Sequence, residues 1–254
     1  MDIVITGASG VVGKILTMHL SPWHNVIPLN GHQDVDLMDP TSVDNFFYGR
    51  RFSAVIHCAV AGAKDVNDTN PSITHRNLTM YENIKRNYNG FDKLINIASG
   101  CELGYGGNKQ EMELRNQLPV TPYGLSKNLI ARDVMKHVEW HNLRLYGLIS
   151  NTRVFWKVWD LVDKGEKEIE IVDKYMDYIS EDDMVKIVRY FAETHFIPEK
   201  DVNMVYQEKK KVSEVLKEYI KDHNLDIEVK VTQTAPSSED YTGDGYRLAR
   251  MNIL

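Results

Sequence analysis

The stretch Ile3-Val4-Ile5-Thr6-Gly7-Ala8-Ser9-Gly10-Val11-Val12-Gly13 decides the fold of this chain of 254 residues. A short β-branched strand at residues 3–5 leads into a glycine-rich turn, and a helical pattern continues through residues 11–20. The three glycines permit a tight turn, the close approach of a pyrophosphate and close packing of helix on strand. Free N–H groups at the start of the helix favour phosphate. The stretch therefore predicts a dinucleotide-binding turn, and the competing interpretation is a glycine-rich turn without a ligand.

Strand and helix patterns alternate along the first part of the chain. Nearly continuous apolar runs at residues 54–59 and 94–98 are typical of strands buried on both faces of a parallel sheet. Residues 26–29 predict another strand, and Asp39-Pro40 predicts the N-cap and first residue of a helix. Strands separated by helices predict right-handed crossovers. The expected fold class is therefore α/β, a Rossmann-type doubly wound parallel sheet with helices on both faces.

The pattern changes after residue 150, where charged helices and alternating strands replace the apolar runs. Residues 168–172 and 226–231 alternate as half-exposed strands, and Ser180 predicts the N-cap of an acidic helix start. We predict a dinucleotide-binding domain over residues 1–150, to which residues 173–197 return. Residues 151–172 and 198–254 are predicted to form a small C-terminal α/β substrate lobe. No Gly/Ser-rich linker separates the two parts, which favours a cleft between packed lobes.

Composition excludes several classes of function. With 43% hydrophobic residues the chain is typical of a globular protein, and a net charge of −6 disfavours a nucleic-acid partner. No apolar run approaches the roughly 20 residues needed to cross a bilayer, and the N-terminal residues lack a secretory pattern. Two cysteines fit a reducing compartment, and the nine histidines lack metal-ligand spacing. We therefore expect a cytoplasmic protein with no membrane association and no metal.

A serine, a tyrosine and a lysine form the candidate catalytic set. Tyr123 and Lys127 are four residues apart on a predicted helix and share one face. A lysine ammonium near a phenol lowers the pKa of the phenol and makes it usable as a general acid/base. Ser99 follows the strand at residues 94–98, where its hydroxyl can bond the same substrate oxygen. Tyr-x-x-x-Lys alone is common on protein surfaces, but its occurrence after a glycine turn and a strand-end serine is rare.

These motifs together resemble the extended short-chain dehydrogenase/reductase family of NAD-dependent nucleotide-sugar epimerases, dehydratases and reductases. The resemblance is carried by residues 6–13, 36–37, 57–61, 97–101 and 121–127, and more weakly by 143–147, 177–183 and 241–244. It implies an NAD(P)-dependent oxidoreductase or epimerase that acts on a nucleotide-linked sugar, with hydride transfer at a sugar carbon, C4. Tyr123 would be the acid/base, Lys127 would hold the nicotinamide ribose, and Ser99 would bind the reacting oxygen. The alternative is a non-catalytic NAD(P)-binding regulatory protein of the same fold, which the presence of Tyr123 and Lys127 disfavours.

The cofactor residues follow from the same resemblance and from the position of the turn. The residues expected to contact NAD or NADP, besides Tyr123 and Lys127, are Gly7, Ser9, Gly10, Val11, Val12, Gly13, Asn30, Asp36, Leu37, Ala59, Val60, Ala61, Asn77, Tyr146 and Leu148. Asn30 closes the second strand and offers neither an acid for the ribose nor an arginine for a 2′-phosphate, so NAD and NADP stay open. We interpret Asp34 as a residue of a solvated acidic loop. Asn77 either supports the lysine site through water or is a polar residue of a helix surface.

The reaction and the substrate contacts are less determined. Cys101 resembles the cysteine of the Ser-Ser-Cys segment in the GDP-L-fucose synthases, a branch of the same family in which that cysteine takes part in epimerisation. Residues 146–151 lack the histidine that accompanies it, so a small buried thiol is the competing interpretation. Arg153 is a candidate contact for substrate phosphates. Gly100 and Cys101 stand where a dehydratase has its acid pair, which leaves epimerase and reductase open. The family often dimerises through two helices, and we expect a homodimer built as a helix bundle.

Overall fold

The described residues, 1–149 and 152–254, form ten strands and eight α-helices in the computed structural model. The strands are β1 (Asp2–Thr6), β2 (Asn25–Leu29), β3 (Phe52–His57), β4 (Phe91–Ser99), β5 (Gly106–Lys109), β6 (Trp140–Leu145), β7 (Glu168–Asp173), β8 (Asp201–Asn203), β9 (Glu228–Thr234) and β10 (Tyr241–Gly243). The helices are α1 (Val11–Leu20), α2 (Pro40–Phe47), α3 (Ser72–Lys85), α4 (Pro122–Val134), α5 (Arg153–Asp163), α6 (Glu181–Glu193), α7 (Val212–Asp222) and α8 (Tyr246–Met251). None of these helices is both long and apolar enough to cross a membrane.

Six parallel strands form the central sheet in the order β2-β1-β3-β4-β6-β8. β1 pairs with β2 on one side and with β3 on the other, so Val4 lies between Ile27 and Val55. The first crossover therefore runs from β1 to β2, and the second runs from β2 past β1 to β3 on the opposite side, which creates a topological switch point beside the carboxyl end of β1. The doubly wound parallel sheet predicted from the sequence is confirmed.

Helices cover both faces of this sheet because each presents one apolar face. The core on the first face joins the sheet to α1 and α6, with Leu16 and Phe191 fully buried. The core on the second face joins it to α2, α3 and α4, with Val43, Ile84 and Val134 fully buried.

The local start signals predicted from the sequence are confirmed. α1 covers residues 11–20 as predicted. The Asp39 carboxylate caps α2 by accepting a hydrogen bond from Thr41 N at 2.9 Å. The Ser180 hydroxyl caps α6 by accepting from Asp183 N at 3.1 Å.

A smaller unit is built from β7, β9, α5 and α7. β7 and β9 pair in parallel, and the two helices pack against them around Phe155 and Leu216. The side chains of β7 alternate between exposed and buried, as the pattern predicts. β9 begins two residues later than predicted and extends three residues further. The predicted alternation is present at its start, where Ile227 is buried and Val229 is half-buried, but the residues of β9 from Lys230 onward are all exposed.

The predicted boundary of the substrate lobe at residue 198 is wrong in part. β8 pairs with β6 and completes the main sheet, and Leu248 of α8 packs into the core of its first face. The sequence Asp201-Val202-Asn203 has one apolar residue and gives no strand signal. Its two polar side chains are buried because both contact the guanidinium of Arg144. α6 packs against the main sheet.

Candidate active site

The glycine turn lies at the switch point, between β1 and α1. Gly7 has a φ of +65°, and a Cβ atom there would lie 2.7 Å from the backbone of Ala59 after β3. A Cβ atom at Gly13 would lie 2.3 Å from the Gly7 carbonyl oxygen. Residues 9–11 are exposed, and Gly10 has no side chain with which to cap α1. The first amides of α1 therefore face solvent without a side-chain cap, an arrangement that fits the pyrophosphate of a dinucleotide.

A carboxylate lies at the end of β2. Asn30 donates to the Asp34 Oδ2 atom from its backbone N–H at 2.8 Å and from its side-chain amide at 3.0 Å. The Ser9 hydroxyl donates to the Asn30 carbonyl oxygen at 2.7 Å and ties the glycine turn to the same loop. This end of the second strand is where the adenosine ribose lies in Rossmann folds. The structure thus brings Asp34, which the sequence analysis assigned to a solvated loop, to the side chain of Asn30.

The next part of the loop is held by local contacts. Asp36 Oδ1 accepts from Met38 N at 2.9 Å. Leu37 is buried, and its carbonyl oxygen accepts from the Asn83 side chain at 2.9 Å. The contact of Asp36 and Leu37 with the adenine of a bound cofactor stays a prediction.

Asn77 of α3 forms hydrogen bonds with the loop that follows β3 and with α4. Its side chain accepts from Ala61 N at 2.7 Å and donates to Ala61 O at 3.1 Å and to the Ser126 hydroxyl at 2.9 Å. Ala61 belongs to the half-buried loop 59–61 that follows β3, and Ser126 belongs to α4. Asn77 is itself buried, so its interpretation as a polar residue of a helix surface is wrong.

Ser99 and Tyr123 meet at the carboxyl end of β4. Both side chains are 7% exposed. Burial raises the pKa of Tyr123, Cys101 adds to the rise, and a hydrogen-bonding interaction with Ser99 opposes it. The sequence analysis expected Lys127 to lower this pKa, but Lys127 is not among the groups that shift it in this structure. The phenol is therefore a proton donor rather than a phenolate at neutral pH.

Lys127 lies on the same face of α4 but makes a different contact. Its Nζ atom donates to the carbonyl oxygen of Ile97 in β4 at 2.7 Å, and the side chain is buried. Burial lowers the pKa of this ammonium, while Glu102 and Cys58 raise it. In this structure Lys127 therefore binds the backbone of β4.

Tyr241 is a site residue that the sequence analysis did not single out. β10 pairs with β5, and this pairing carries Tyr241 to the loop after β4. Its hydroxyl lies 3.3 Å from the Cys101 Sγ atom, and it also interacts with Ser99. Its ring packs against that of Tyr146 with a centroid distance of 4.9 Å. The two segments are far apart in the sequence and no motif spacing links them, so only the fold reveals the contact.

Other predicted residues are placed as follows. Burial raises the pKa of the Cys101 thiol, which is therefore protonated at neutral pH. The Tyr146 hydroxyl is buried and has no hydrogen-bond partner among residues 1–149 and 152–254. Leu148 packs into the main core, where it bridges to Ile179. Arg153 is exposed at the start of α5. The structure thus brings Ser99, Cys101 and Tyr123 together with the ring of Tyr146, whereas the Leu148 side chain lies in the core.

A doubly wound sheet with a glycine turn at its switch point defines the Rossmann class of proteins. Within this class, the chain belongs to the NAD dependent epimerase/dehydratase family, whose model matches residues 3–205. This match confirms the resemblance found in the motifs. No curated protein sequence matches the chain.

Solved structures of several enzymes share the fold. One is a dTDP-4-dehydrorhamnose reductase from Bacillus anthracis in complex with NADP, with a TM-score of 0.83, 19% identity and coverage of 100% of this chain and 93% of that chain. A GDP-L-fucose synthetase from Naegleria fowleri bound to NADP has a TM-score of 0.77, 17% identity and coverage of 99% and 86%. A UDP-glucose 4-epimerase from Thermus thermophilus in complex with NAD has a TM-score of 0.77, 19% identity and coverage of 100% and 94%.

Proposed function

We propose that the chain is an NAD(P)-dependent oxidoreductase or epimerase that acts on a nucleotide-activated sugar, with hydride transfer at a sugar carbon, C4, and proton transfer by Tyr123. The observation that carries this proposal is the meeting of Ser99 and Tyr123 at the carboxyl end of β4, on the sheet edge that also holds the glycine turn. Membership of the family and the sugar-nucleotide enzymes among the similar structures support it.

The cofactor would lie across the switch point, with its pyrophosphate on the turn between Gly7 and Gly13. When bound, its nicotinamide ring supplies or accepts the hydride. Two of the similar structures contain NADP and one contains NAD, so both remain candidates for this chain. Lys127 would turn from the Ile97 carbonyl oxygen toward the nicotinamide ribose, and Tyr146 would border the ring.

The side chains of the site suit reduction of a carbonyl group. Ser99 would donate a hydrogen bond to the carbonyl oxygen of a keto sugar and orient it beside Tyr123. The Tyr123 phenol would then give its proton to that oxygen as the hydride reaches the carbon. A raised pKa keeps this proton on the phenol at neutral pH, where it is available to the carbonyl oxygen. Arg153, on α5, is proposed to contact the diphosphate of the sugar nucleotide.

The decisive experiment mixes the chain with NADPH or NADH and a 4-keto-6-deoxy sugar nucleotide. Stoichiometric oxidation of the reduced cofactor with formation of the 4-hydroxy sugar indicates a reductase. Conversion of a sugar nucleotide to its C4 epimer without net loss of cofactor indicates an epimerase. The variant Tyr123→Phe should bind the cofactor and lose turnover, and full activity of this variant would refute the role of Tyr123.

A regulatory protein that binds NAD(P) without catalysis is the second candidate. It is favoured by the burial of Ser99 and Tyr123 and by the contact of Tyr241 with Cys101, which together leave little of the reacting groups exposed. Such a protein would bind NADPH yet leave every member of a panel of sugar nucleotides unchanged by mass spectrometry.

We also propose that a second copy of the chain packs on α3 and α4 as a helix bundle. The two helices face each other around Tyr81 and Ile130, and Leu129 of α4 is exposed. Light scattering after size-exclusion chromatography should give twice the 29.2 kDa of one chain. A mass of one chain at all concentrations would exclude this assembly.

A further inference from the structure

Glu102 is a fully buried carboxylate that binds the backbone amide of Ser99, and the proposed reaction does not use it. It is the last residue of the 3₁₀ turn Gly100–Glu102 that follows β4, and its exposed fraction is 0%. Its Oε1 atom accepts a hydrogen bond from Ser99 N at 2.7 Å. Its Oε2 atom has no hydrogen-bond partner in the part of the chain that the structure describes, residues 1–149 and 152–254. One oxygen therefore holds the Ser99 backbone, and the other is unpaired.

Arg144 is the nearest cation to Glu102 but is held mainly by other groups. Its guanidinium lies 2.9 Å from Asp201 Oδ1 and donates to Asn203 Oδ1 at 2.9 Å. Its Nε atom lies 3.4 Å from Glu102 Oε1 and makes no hydrogen bond there. Two buried carboxylates thus share one guanidinium, and Glu102 is the more weakly bound of the two. This leaves its charge only partly compensated.

The surroundings of Glu102 place its titration in the range of neutral pH. Burial raises the pKa of Glu102 to about 7, against the effect of Arg144, and the charge of Asp201 adds to the rise. The charged and titratable groups that act on Glu102 or respond to it are Arg144 of β6, Asp201 of β8, Tyr123 and Lys127 of α4, Cys101 of its own turn and Tyr146 after β6. The charge of Glu102 in turn raises the pKa of both Tyr123 and Lys127.

We propose that Glu102 is a positioning residue, whose ionised carboxylate fixes the Ser99 amide and so holds the Ser99 hydroxyl beside the Tyr123 phenol. A hydrogen bond to a carboxylate is roughly twice as strong as one to a neutral acceptor, so ionisation of Glu102 tightens the turn. The inference rests on the proposed function and deepens it, since it adds a control on the geometry of the same site. Positioning makes kcat rise with pH as Glu102 loses its proton, whereas the effect of the Glu102 charge on the pKa of Tyr123 alone would weaken the proton donor and make kcat fall.

The test observes the Ser99 amide directly. The chain contains two Ala–Ser pairs, Ala8-Ser9 and Ala98-Ser99, so labelling alanine carbonyl carbons with ¹³C and serine nitrogens with ¹⁵N selects two amide signals. The Ser9 amide serves as the internal reference because Ser9 is exposed and belongs to the turn after β1, where its hydroxyl donates to the Asn30 carbonyl oxygen. The Ser99 amide proton is expected to shift through one transition near pH 7. A Ser99 signal that stays constant between about pH 5 and 9, a range wide enough to include a shifted carboxyl group, overturns the proposal.

Two variants separate positioning from a structural role. Glu102→Gln keeps an acceptor for Ser99 N but has no charge, so the Ser99 transition and the rise of kcat with pH should both disappear. Glu111→Gln is the matched control, because Glu111 is also a buried carboxylate of this region but accepts from Asn203 N. Its Ser99 transition should match that of the natural chain. If the Ser99 transition persists in Glu102→Gln, the proposal is overturned. If Glu102→Gln does not fold, the titration of the Ser99 amide in the natural chain decides whether the proposal holds.

Catalytic measurements complete the test and separate it from the proposed function. Glu102→Ala, which leaves Ser99 N without its acceptor, should lower kcat about tenfold, which corresponds to about 1.4 kcal/mol, with an unchanged dissociation constant for the cofactor. An unchanged kcat in Glu102→Ala contradicts the positioning role. If the natural chain converts no sugar nucleotide, the proposed function fails, whereas the Ser99 titration still reports whether Glu102 controls this turn.

Discussion

The hydroxyl of Tyr241 lies 3.3 Å from the thiol of Cys101, although 140 residues separate the two in the sequence. The contact joins the C-terminal segment to the 3₁₀ turn that directly follows Ser99. Because burial raises the pKa of both groups, the pair is uncharged at neutral pH and either atom is able to donate. The Tyr241 hydroxyl also interacts with Ser99, so the pair lies beside the candidate catalytic serine.

The first prediction concerns the hydroxyl of Tyr241. Tyr241→Phe keeps the ring against Tyr146 but removes the partner of Cys101, so the free energy of unfolding should fall by about 1 kcal/mol. Turnover should fall as well, whereas cofactor binding should be unchanged, because the variant keeps the ring that packs on Tyr146. Urea unfolding, steady-state kinetics and cofactor titration measure the three quantities. Tyr105→Phe is the control, since Tyr105 also packs on Tyr241 but is half exposed. Equal losses in both variants would contradict a specific role for the Tyr241 hydroxyl.

The second prediction concerns cofactor choice. The Asp34 carboxylate lies at the end of β2 on the Asn30 amide, where it is placed to accept from ribose hydroxyls and to repel a 2′-phosphate. NAD should therefore bind more tightly than NADP. Asp34→Asn should shift the ratio of the two dissociation constants toward NADP by about tenfold, the equivalent of about 1.4 kcal/mol. Fluorescence titration with the two reduced cofactors measures this ratio.

The control for Asp34 is a second exposed aspartate with the same change of charge. Asp92→Asn removes a carboxylate at the amino end of β4, where Asp92 contacts Arg51. Its cofactor ratio should stay unchanged. A tighter binding of NADP than NAD by the natural chain would show that Asp34 does not face the ribose.

Short-range patterns are sufficient to predict the elements around the glycine turn. α1 begins where Gly10 ends the turn, and α2 begins at Pro40 because Asp39 supplies the cap. The position of Ser99 after an apolar strand and that of Tyr123 at the start of a helix follow from the same local rules. These residues meet because the carboxyl ends of parallel strands share one edge of the sheet.

Contacts between distant segments could not be predicted in this way. β8 has three residues and one apolar side chain; it pairs with β6, and its two polar side chains bind Arg144. Tyr241 reaches Cys101 only through the pairing of β10 with β5. Buried polar groups of this kind have no periodicity in the sequence, since their burial depends on partners that the fold supplies.

The third prediction compares two glycines with a positive φ, Gly7 and Gly165, with Gly10, whose lack of a side chain leaves room for a bound dinucleotide. Gly7→Ala should destabilise the fold by about 1–3 kcal/mol through its positive φ, and more through the overlap with the Ala59 backbone. Gly165→Ala is the control for φ alone, because Gly165 has a φ of +72° and no neighbour within 4 Å. Gly10→Ala places its Cβ 3.2 Å from the Gly7 carbonyl oxygen, so the fold should persist while dinucleotide affinity falls. Urea unfolding and cofactor titration of the three variants test this order, and undiminished affinity in Gly10→Ala would argue against a pyrophosphate at the turn.

The fourth prediction concerns the dependence of stability on pH. His57 is buried at the end of β3, with its Nδ1 atom 2.9 Å from the Thr6 hydroxyl. Burial lowers the pKa of His57 to about 3, and the nearby Lys127 ammonium adds to the effect. Between this value and the ordinary histidine pKa of about 6.5, the unfolded chain binds a proton that the folded chain does not bind. The stability that neutral His57 contributes is therefore present above about pH 6.5 and is lost as the pH falls toward 3.

His57→Asn isolates this contribution. Between pH 4 and 6 the free energy of unfolding of the natural chain should change more steeply than that of the variant, by about 1.4 kcal/mol per pH unit for one proton. Other buried groups, such as His141 and Glu102, titrate in both proteins and cancel in the difference. His32→Asn, a change at an exposed histidine, should reproduce the slope of the natural chain. Equal slopes in the natural chain and His57→Asn would mean that His57 becomes protonated in the folded state, which its burial beside the Lys127 ammonium opposes.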